Sequence, residues 1–363
     1  MQSNMPIQKR MNLIKSVGEE ILTEDELKAL LEKKEHPIAY DGFEPSGTSI
    51  HIAQGLLRAI NVNKMTAAGC TFKMLIADWH AWANNKMGGD LEKIQKVGNF
   101  YIEVWKACDM DLKHVEFVWA SDMLKDDKYW KMVMNVARTS SMNRILRTVE
   151  IMGRSEQDTL HASQILYPCM QAADIFYLNA DICQLGMDQR KVNVLARELG
   201  EKLGFWKPVV VSHHMLMGLG EPPKEDLTSA DRGIALKMSK SKPDTAIFML
   251  DTKEDVERKI KKAYCPEKNI EENPMLEYCK YILFEKFSEL KVIRPEKFGG
   301  NLIIGSYDEL VQIYHDGKLH PMDLKACVAF HLNELMDPIR KKLHENKKVM
   351  AMYEEIQTFQ VTR

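Results

Sequence analysis

Lys237, Lys240 and Lys242 stand within Lys237-Met238-Ser239-Lys240-Ser241-Lys242, a run of three ammonium groups flanked by Gly233 and Pro243. Such a loop can fold over a polyphosphate and follow its charge as a phosphorus–oxygen bond breaks, because lysine is a compact charge on a flexible stem. A solvated surface loop has the same composition, and spacing alone leaves both readings open. Far upstream, Asp41-Gly42-Phe43-Glu44-Pro45-Ser46-Gly47 follows the apolar Pro37-Ile38-Ala39-Tyr40 and leads into Ile50-His51-Ile52-Ala53-Gln54-Gly55. Ile50, Ala53, Leu57 and Ile60 recur at helical spacing, which predicts strand, tight loop, helix. A helix start presents free N–H groups and a positive dipole end to phosphate, and His51 can add a donor there or serve simply as a cap. Tyr167, Gln171 and Asp174, at i, i+4 and i+7, put three polar groups on one helical face among Leu166, Met170, Ala173 and Phe176. That face either lines a pocket or turns to water.

The elements that must hold these groups alternate. Apolar, β-rich stretches at Pro37 to Phe43, Phe72 to Ala77, Val115 to Trp119, Asp181 to Leu185 and Pro208 to Ser212 are separated by helical patterns, which predicts an α/β, Rossmann-like parallel sheet. The two candidate phosphate loops follow the first and last of these strands. In such a sheet the ligand lies beyond the strand C-terminal ends at a switch point, which would bring residues 51 and 240 together. Residues from about 116 to 164 interrupt the alternation with helix-like segments. A Gly/Pro/charged stretch from Gly218 to Gly233 leads into the lysine loop, and beyond Asp251 the pattern turns mainly α-helical. A chain of 363 residues suggests two domains, taken as 1–245 and 246–363.

Composition excludes several classes. No apolar run reaches the roughly 18 to 20 residues of a membrane span, and the first fifteen residues carry charges and no signal-peptide core. Seven scattered cysteines with no C-x-x-C pair argue for reduced thiols in the cytoplasm and against structural zinc, and no metal-ligand set is expected. Net charge is -2, and from Asp251 to Arg363 there are 19 Lys+Arg against 20 Asp+Glu, so composition gives no sign of a nucleic-acid partner.

The order K-M-S-K-S, with the upstream loop, resembles the paired ATP motifs of class I aminoacyl-tRNA synthetases. From about Glu20 to Lys347 the chain resembles the tyrosyl-tRNA synthetases of archaeal and eukaryotic type. The likeness includes Tyr167-Pro168-Cys169-Met170-Gln171-Ala172-Ala173-Asp174, Gly186-Met187-Asp188-Gln189-Arg190-Lys191, Arg294-Pro295-Glu296-Lys297-Phe298-Gly299-Gly300 and His320-Pro321-Met322-Asp323-Leu324-Lys325. In one departure, the family's H-x-G-H stands as His51-Ile52-Ala53-Gln54, so an amide that carries no charge replaces the second imidazole.

The resemblance implies activation of tyrosine by ATP, with Mg²⁺ on the phosphates, and transfer of tyrosine to the terminal ribose of tRNA(Tyr). It assigns Tyr40 and Asp174 to the phenol hydroxyl, and Tyr167, Gln171 and Gln189 to the α-amino group. Gly42, Glu44, Ser46, Gly47, His51, Lys237, Met238, Ser239 and Lys240 fall to ATP, with His51, Gln54, Lys237 and Lys240 catalytic. Asp78, Trp79 and His80 would wall the same cavity, His80 being equally readable as a core histidine. Arg190 is implied to touch the acceptor stem, and His320 with Asp323 to read the anticodon from a helical anticodon-binding domain. The anticodon's aromatic stacking partner is expected near Tyr281, Ile282 or Phe284. The 116–164 insertion is implied to form a homodimer, and no appended tRNA-binding module is expected. Two rivals are a tryptophanyl-tRNA synthetase, against which Tyr40 with Asp174 argues, and a catalytically silent synthetase-like RNA-binding or signalling protein, against which His51, Lys237 and Lys240 argue.

Overall fold

A computed structural model describes residues 5–153, 159–225, 227 and 229–361. Six strands form one sheet: β1 (Gly18–Leu22), β2 (Ile38–Phe43), β3 (Thr71–Ile76), β4 (Val115–Trp119), β5 (Ile182–Cys183) and β6 (Val209–His213). Their order is β1-β6-β5-β2-β3-β4. β2 to β6 run parallel, and β1 alone pairs antiparallel, with β6. The five expected strands are these parallel ones. β1 escaped the sequence reading because Gly-Glu-Glu-Ile-Leu is short and acidic, a pattern tolerated where one edge of a strand faces solvent.

After β2 the chain moves to β3 and β4 on one side, and after β5 to β6 on the other, so the order reverses between β2 and β5. That is where open α/β sheets bind ligands. Helices cover both faces. The helix Leu91–Ala107, capped by Asp90 accepting from the Lys93 amide, buries Ile94, Val97, Phe100, Tyr101, Val104 and Trp105.

The insertion begins later than expected. Val115–Trp119 belongs to the sheet, and the helices run from Ala120 to Met152, the longest being Asp127–Thr139. The 154–158 part of the expected insertion lies outside the described residues.

The C-terminal part is mainly helical but is not a separate mass. The long helix Pro321–Glu345 and the following Lys347–Gln357 share one apolar core with the sheet domain. Ile52 N donates to Ile247 O and Met249 N to Ile50 O, both at 2.9 Å, so the segment just past the expected boundary is built into the first motif. An antiparallel hairpin, β7 (Leu290–Val292) and β8 (Leu302–Ile304), was also unexpected; it carries the Arg294-to-Gly300 motif in its loop.

Candidate active site

A cavity of about 270 Å³ opens at the C-terminal ends of β2, β5 and β6. Tyr40, Leu75, Ala77, His80, Tyr167 and Asp174 line it together with Glu44, Ser46, His51, Gln54, Arg58 and Lys237.

The open question about the helix Ala162–Tyr177 is settled by burial. Tyr167, Gln171 and Asp174 are 6%, 6% and 0% exposed, so the polar face points inward to the cavity. Asp174 anchors it: the Tyr129 hydroxyl donates to Oδ1 at 2.7 Å, and His80 Nε2 lies 3.0 Å from Oδ2 in an ion-pair contact. Burial pulls the His80 imidazole towards neutrality, but Asp174, Glu44 and Asp78 outweigh it and hold its pKa above the usual value. His80 is therefore both buried and on the cavity wall. Burial, reinforced by Asp174, holds the phenols of Tyr40 and Tyr129 well above their ordinary range, so both are protonated donors. Tyr129, from the insertion, was missed because its position 45 residues from Asp174 gives no periodic signal.

Gln171 Nε2 donates to Gln189 Oε1, and Gln189 Nε2 to the Ile151 carbonyl, each at 3.0 Å. This leaves Gln171 Oε1 buried with no hydrogen-bond partner, like Gln54 Oε1 and His51 Nδ1. Buried polar atoms are rarely left unpaired, and several around one cavity imply a polar ligand.

The first motif does not continue straight into an α-helix. Ala53–Leu57 form a π-turn, with Leu57 N reaching back to Ile52 O at 2.9 Å, before the α-helix Arg58–Ala67. Such wide turns recur at functional sites. Gly55 within it leaves room for Met249, since a Cβ there would stand 2.7 Å from Met249 Cγ. His51 is buried, and burial, with Lys240, Arg58 and Lys237 nearby, pushes its pKa well below the usual value. The imidazole is therefore neutral. Arg58 also forms a buried ion pair with Asp41 at 2.9 Å; burial raises that carboxyl to about 6 against the pull of Arg58.

Of the lysines, Lys237 faces the cavity and donates to Asp188 Oδ2 at 2.8 Å. Lys240 is parked beside the cavity. Its Nζ donates to the Tyr101 hydroxyl at 2.8 Å and lies 4.9 and 5.7 Å from the ring centres of Tyr101 and Phe43. Desolvation, with Arg58 and Lys86 adding repulsion, pulls its pKa down to about 7, although Glu44 opposes this. Gly47 makes room: a Cβ there would stand 2.7 Å from Lys240 Cδ. Met238 is on the cavity wall; Ser239 bonds Ser241 instead. Gly42 lines the cavity, and a Cβ there would come within 3.0 Å of the Tyr40 hydroxyl. Among the described residues, no three His, Cys, Asp or Glu side chains gather as a metal site.

The remaining expected contacts lie elsewhere. Arg190 is half-exposed and ion-paired with Glu20 at 2.7 Å. His320 caps the helix Pro321–Glu345, its Nδ1 accepting from Met322 N, and Asp323 sits in the first turn. Of the residues expected near the stacking partner, Ile282 is wholly buried, Tyr281 is stacked on His214 at 4.3 Å, and Phe284 is half-buried against the core. Phe298 is 60% exposed, on the hairpin loop that Arg294 ties to the Lys318 carbonyl, two residues before His320.

A profile described as tRNA synthetases class I (W and Y) matches residues 32–337. The chain is 51% identical over 365 residues to tyrosine--tRNA ligase 1, cytoplasmic, of Arabidopsis thaliana, covering all of this chain and 91% of that one. It is 42% identical to the tyrosine--tRNA ligase of Sulfurisphaera tokodaii, with 97% of each covered. It superposes on the tyrosyl-tRNA synthetase of Pyrococcus horikoshii complexed with L-tyrosine with a TM-score of 0.89 at 38% identity, covering 97% of this chain and all of that one. The chain belongs to the class I tRNA synthetases of the W and Y family. Within it, the activity is that of a tyrosyl-tRNA synthetase of the archaeal and eukaryotic type, an aminoacyl-tRNA ligase.

Proposed function

We propose that the cavity binds tyrosine with its hydroxyl at Tyr40 and Asp174 and ATP along residues 42–54 and the lysine loop. The observation carrying this reading is the set of buried, unpartnered acceptors and donors around one cavity, lined also by the buried carboxylate of Asp174 and by the cations Arg58 and Lys237. Gln171 Oε1, freed by the Gln189 bond, accepts from the substrate ammonium beside Tyr167. The substrate carboxylate is ionised at neutral pH and needs no general base. It attacks the α-phosphorus of ATP in line; the phosphorus–oxygen bond to pyrophosphate breaks and the electron pair leaves with pyrophosphate. Mg²⁺ arrives on the nucleotide phosphates. His51, Gln54 and Lys237 stabilise growing negative charge, joined by Lys240 once it leaves Tyr101, because catalysis of this kind is positioning plus electrostatics. A terminal ribose hydroxyl of tRNA then attacks the mixed anhydride and AMP leaves. Incubation with ATP, labelled tyrosine and tRNA(Tyr) should transfer label to the tRNA; no transfer would refute the assignment.

At the other end, Arg190 contacts the acceptor stem, while His320, Asp323 and Phe298 read the anticodon. Unstacked RNA bases are recognised by aromatic stacking and by hydrogen bonds to their edges. Asp323→Ala and Phe298→Ala should each leave tyrosine-dependent pyrophosphate exchange near wild type while lowering tRNA charging. A base–aromatic stack is worth about 1–3 kcal/mol, or roughly 5- to 150-fold. Equal loss in both assays would make these residues supports of the fold.

The insertion helices form a homodimer, supported by the exposed Trp130 and Met134 on Asp127–Thr139 and by Met142 just beyond. Closed two-fold pairs are the commonest soluble oligomers. Light scattering should give twice the 41.8 kDa chain mass; a fully active monomer would rule this out. A cytoplasmic setting fits seven buried free thiols and the Arabidopsis relative.

A further inference from the structure

We propose that Glu277 is a positioning residue for the lysine loop: together with Tyr278 it grips Met217, the residue opposite Lys237, and so ties the loop to the C-terminal helices. The inference rests on the lysine loop acting on ATP.

Residues 216–218 form the rail on which the loop lies. Met217 and Lys237 pair as an antiparallel bridge, Met238 N donates to Leu216 O at 2.8 Å, and Gly218 N donates to Leu236 O at 2.9 Å. Met217 therefore turns its own amide and carbonyl away from the loop, and both are taken by one short helix, Pro274–Tyr278. Glu277 Oε2 accepts from Met217 N at 2.9 Å, and the Tyr278 hydroxyl donates to Met217 O at 3.0 Å. Met217 and Tyr278 are buried, so neither backbone group has water as an alternative partner.

The carboxylate of Glu277 is itself held. His214 Nε2 lies 3.0 Å from the same oxygen, while its Nδ1 bonds Glu19 and its ring stacks on Tyr281. Burial disfavours charge on His214, but the two carboxylates win and raise it to about 9, so it is a cation donating to both. A second tie guards the approach to the loop. Arg232, on the helix Ser229–Leu236, donates to Glu272 through Nε and Nη2, the Nη2 contact being 2.7 Å. The helix carrying Glu277 packs in turn on Pro321–Glu345, whose first turn holds Asp323. A rigid chain of contacts thus leads from that helix to Lys237.

Glu277→Ala should lower the turnover of tyrosine-dependent pyrophosphate exchange about tenfold or more, the loss expected for one charged hydrogen bond. The KM for ATP should rise while tyrosine affinity stays within about twofold, because Met217 is not among the residues that line the cavity. Glu277→Gln keeps an acceptor for the Met217 amide and should restore most of the rate. Trypsin supplies a readout independent of activity: cleavage after Lys237 or Lys240 should quicken in Glu277→Ala relative to the rest of the chain. Unchanged exchange and unchanged cleavage would overturn the proposal. So would parallel loss of tyrosine affinity and rate that glutamine fails to rescue, which is what general unfolding gives. An absence of exchange in the unsubstituted protein would instead refute the reading of the cavity, leaving the cleavage test to decide on Glu277.

Discussion

Asp174→Ala is expected to damage tyrosine use severely and phenylalanine use little. In the intact site a bound phenylalanine would leave the Tyr40 hydroxyl without a partner and Asp174 Oδ2, held by His80 alone, without the second donor that tyrosine supplies, and an under-paired buried polar group is a larger penalty than a lost apolar contact. Rejection of phenylalanine on this basis runs to about 10⁵-fold, a magnitude known from tyrosyl-tRNA synthetases themselves and not one that follows from the distances above. Because Asp174 also contacts Tyr129 and His80, alanine removes a structural anchor too. Asp174→Asn, which keeps the shape and one acceptor, separates the two effects: the ratio of tyrosine to phenylalanine use should fall with both substitutions, and expression and melting should suffer mainly with alanine. An unchanged ratio in either soluble variant would show that Asp174 does not read the hydroxyl.

Lys240→Ala should reduce the single-turnover rate of adenylate formation by about 10²- to 10³-fold, the usual effect of removing one donor that stabilises developing charge. Tyrosine affinity should hold, since Lys240 lies against Tyr101 and Phe43, away from Asp174. The parked position makes the chemistry economical. Burial against Tyr101 and Phe43 pulls the ammonium down to about 7, and phosphates beside it both attract it and favour its charged form. A loss confined to tyrosine affinity, with the rate intact, would remove Lys240 from catalysis.

Much of this site was legible in the sequence because its key side chains sit in contiguous motifs on regular elements. Spacing alone put Tyr167, Gln171 and Asp174 on one face, yet could not say whether that face met water; the insertion helix and His80, folded over it, decide the matter. The same limit hid Tyr129, Arg58 and Asp188, whose partners Asp174, Asp41 and Lys237 are distant in the chain. Periodicity read 53–57 as ordinary helix, since a π-turn keeps the same residues buried. The hairpin around residues 290–304 was missed because each strand is three residues long. With that hairpin unseen, the expectation of a stacking aromatic rested on Tyr281, Ile282 and Phe284, and the exposed Phe298 on its loop was not considered.

Isotope exchange between pyrophosphate and ATP, run on the unsubstituted protein with tyrosine, phenylalanine and tryptophan in turn, tests the central claim most directly. Exchange with tyrosine should exceed that with phenylalanine by about 10⁴-fold or more, and tryptophan, whose indole has no hydroxyl for Tyr40 and Asp174 to bind, should support none. Exchange with tryptophan equal to that with tyrosine, or none with tyrosine, would contradict a cavity built to read the phenol hydroxyl.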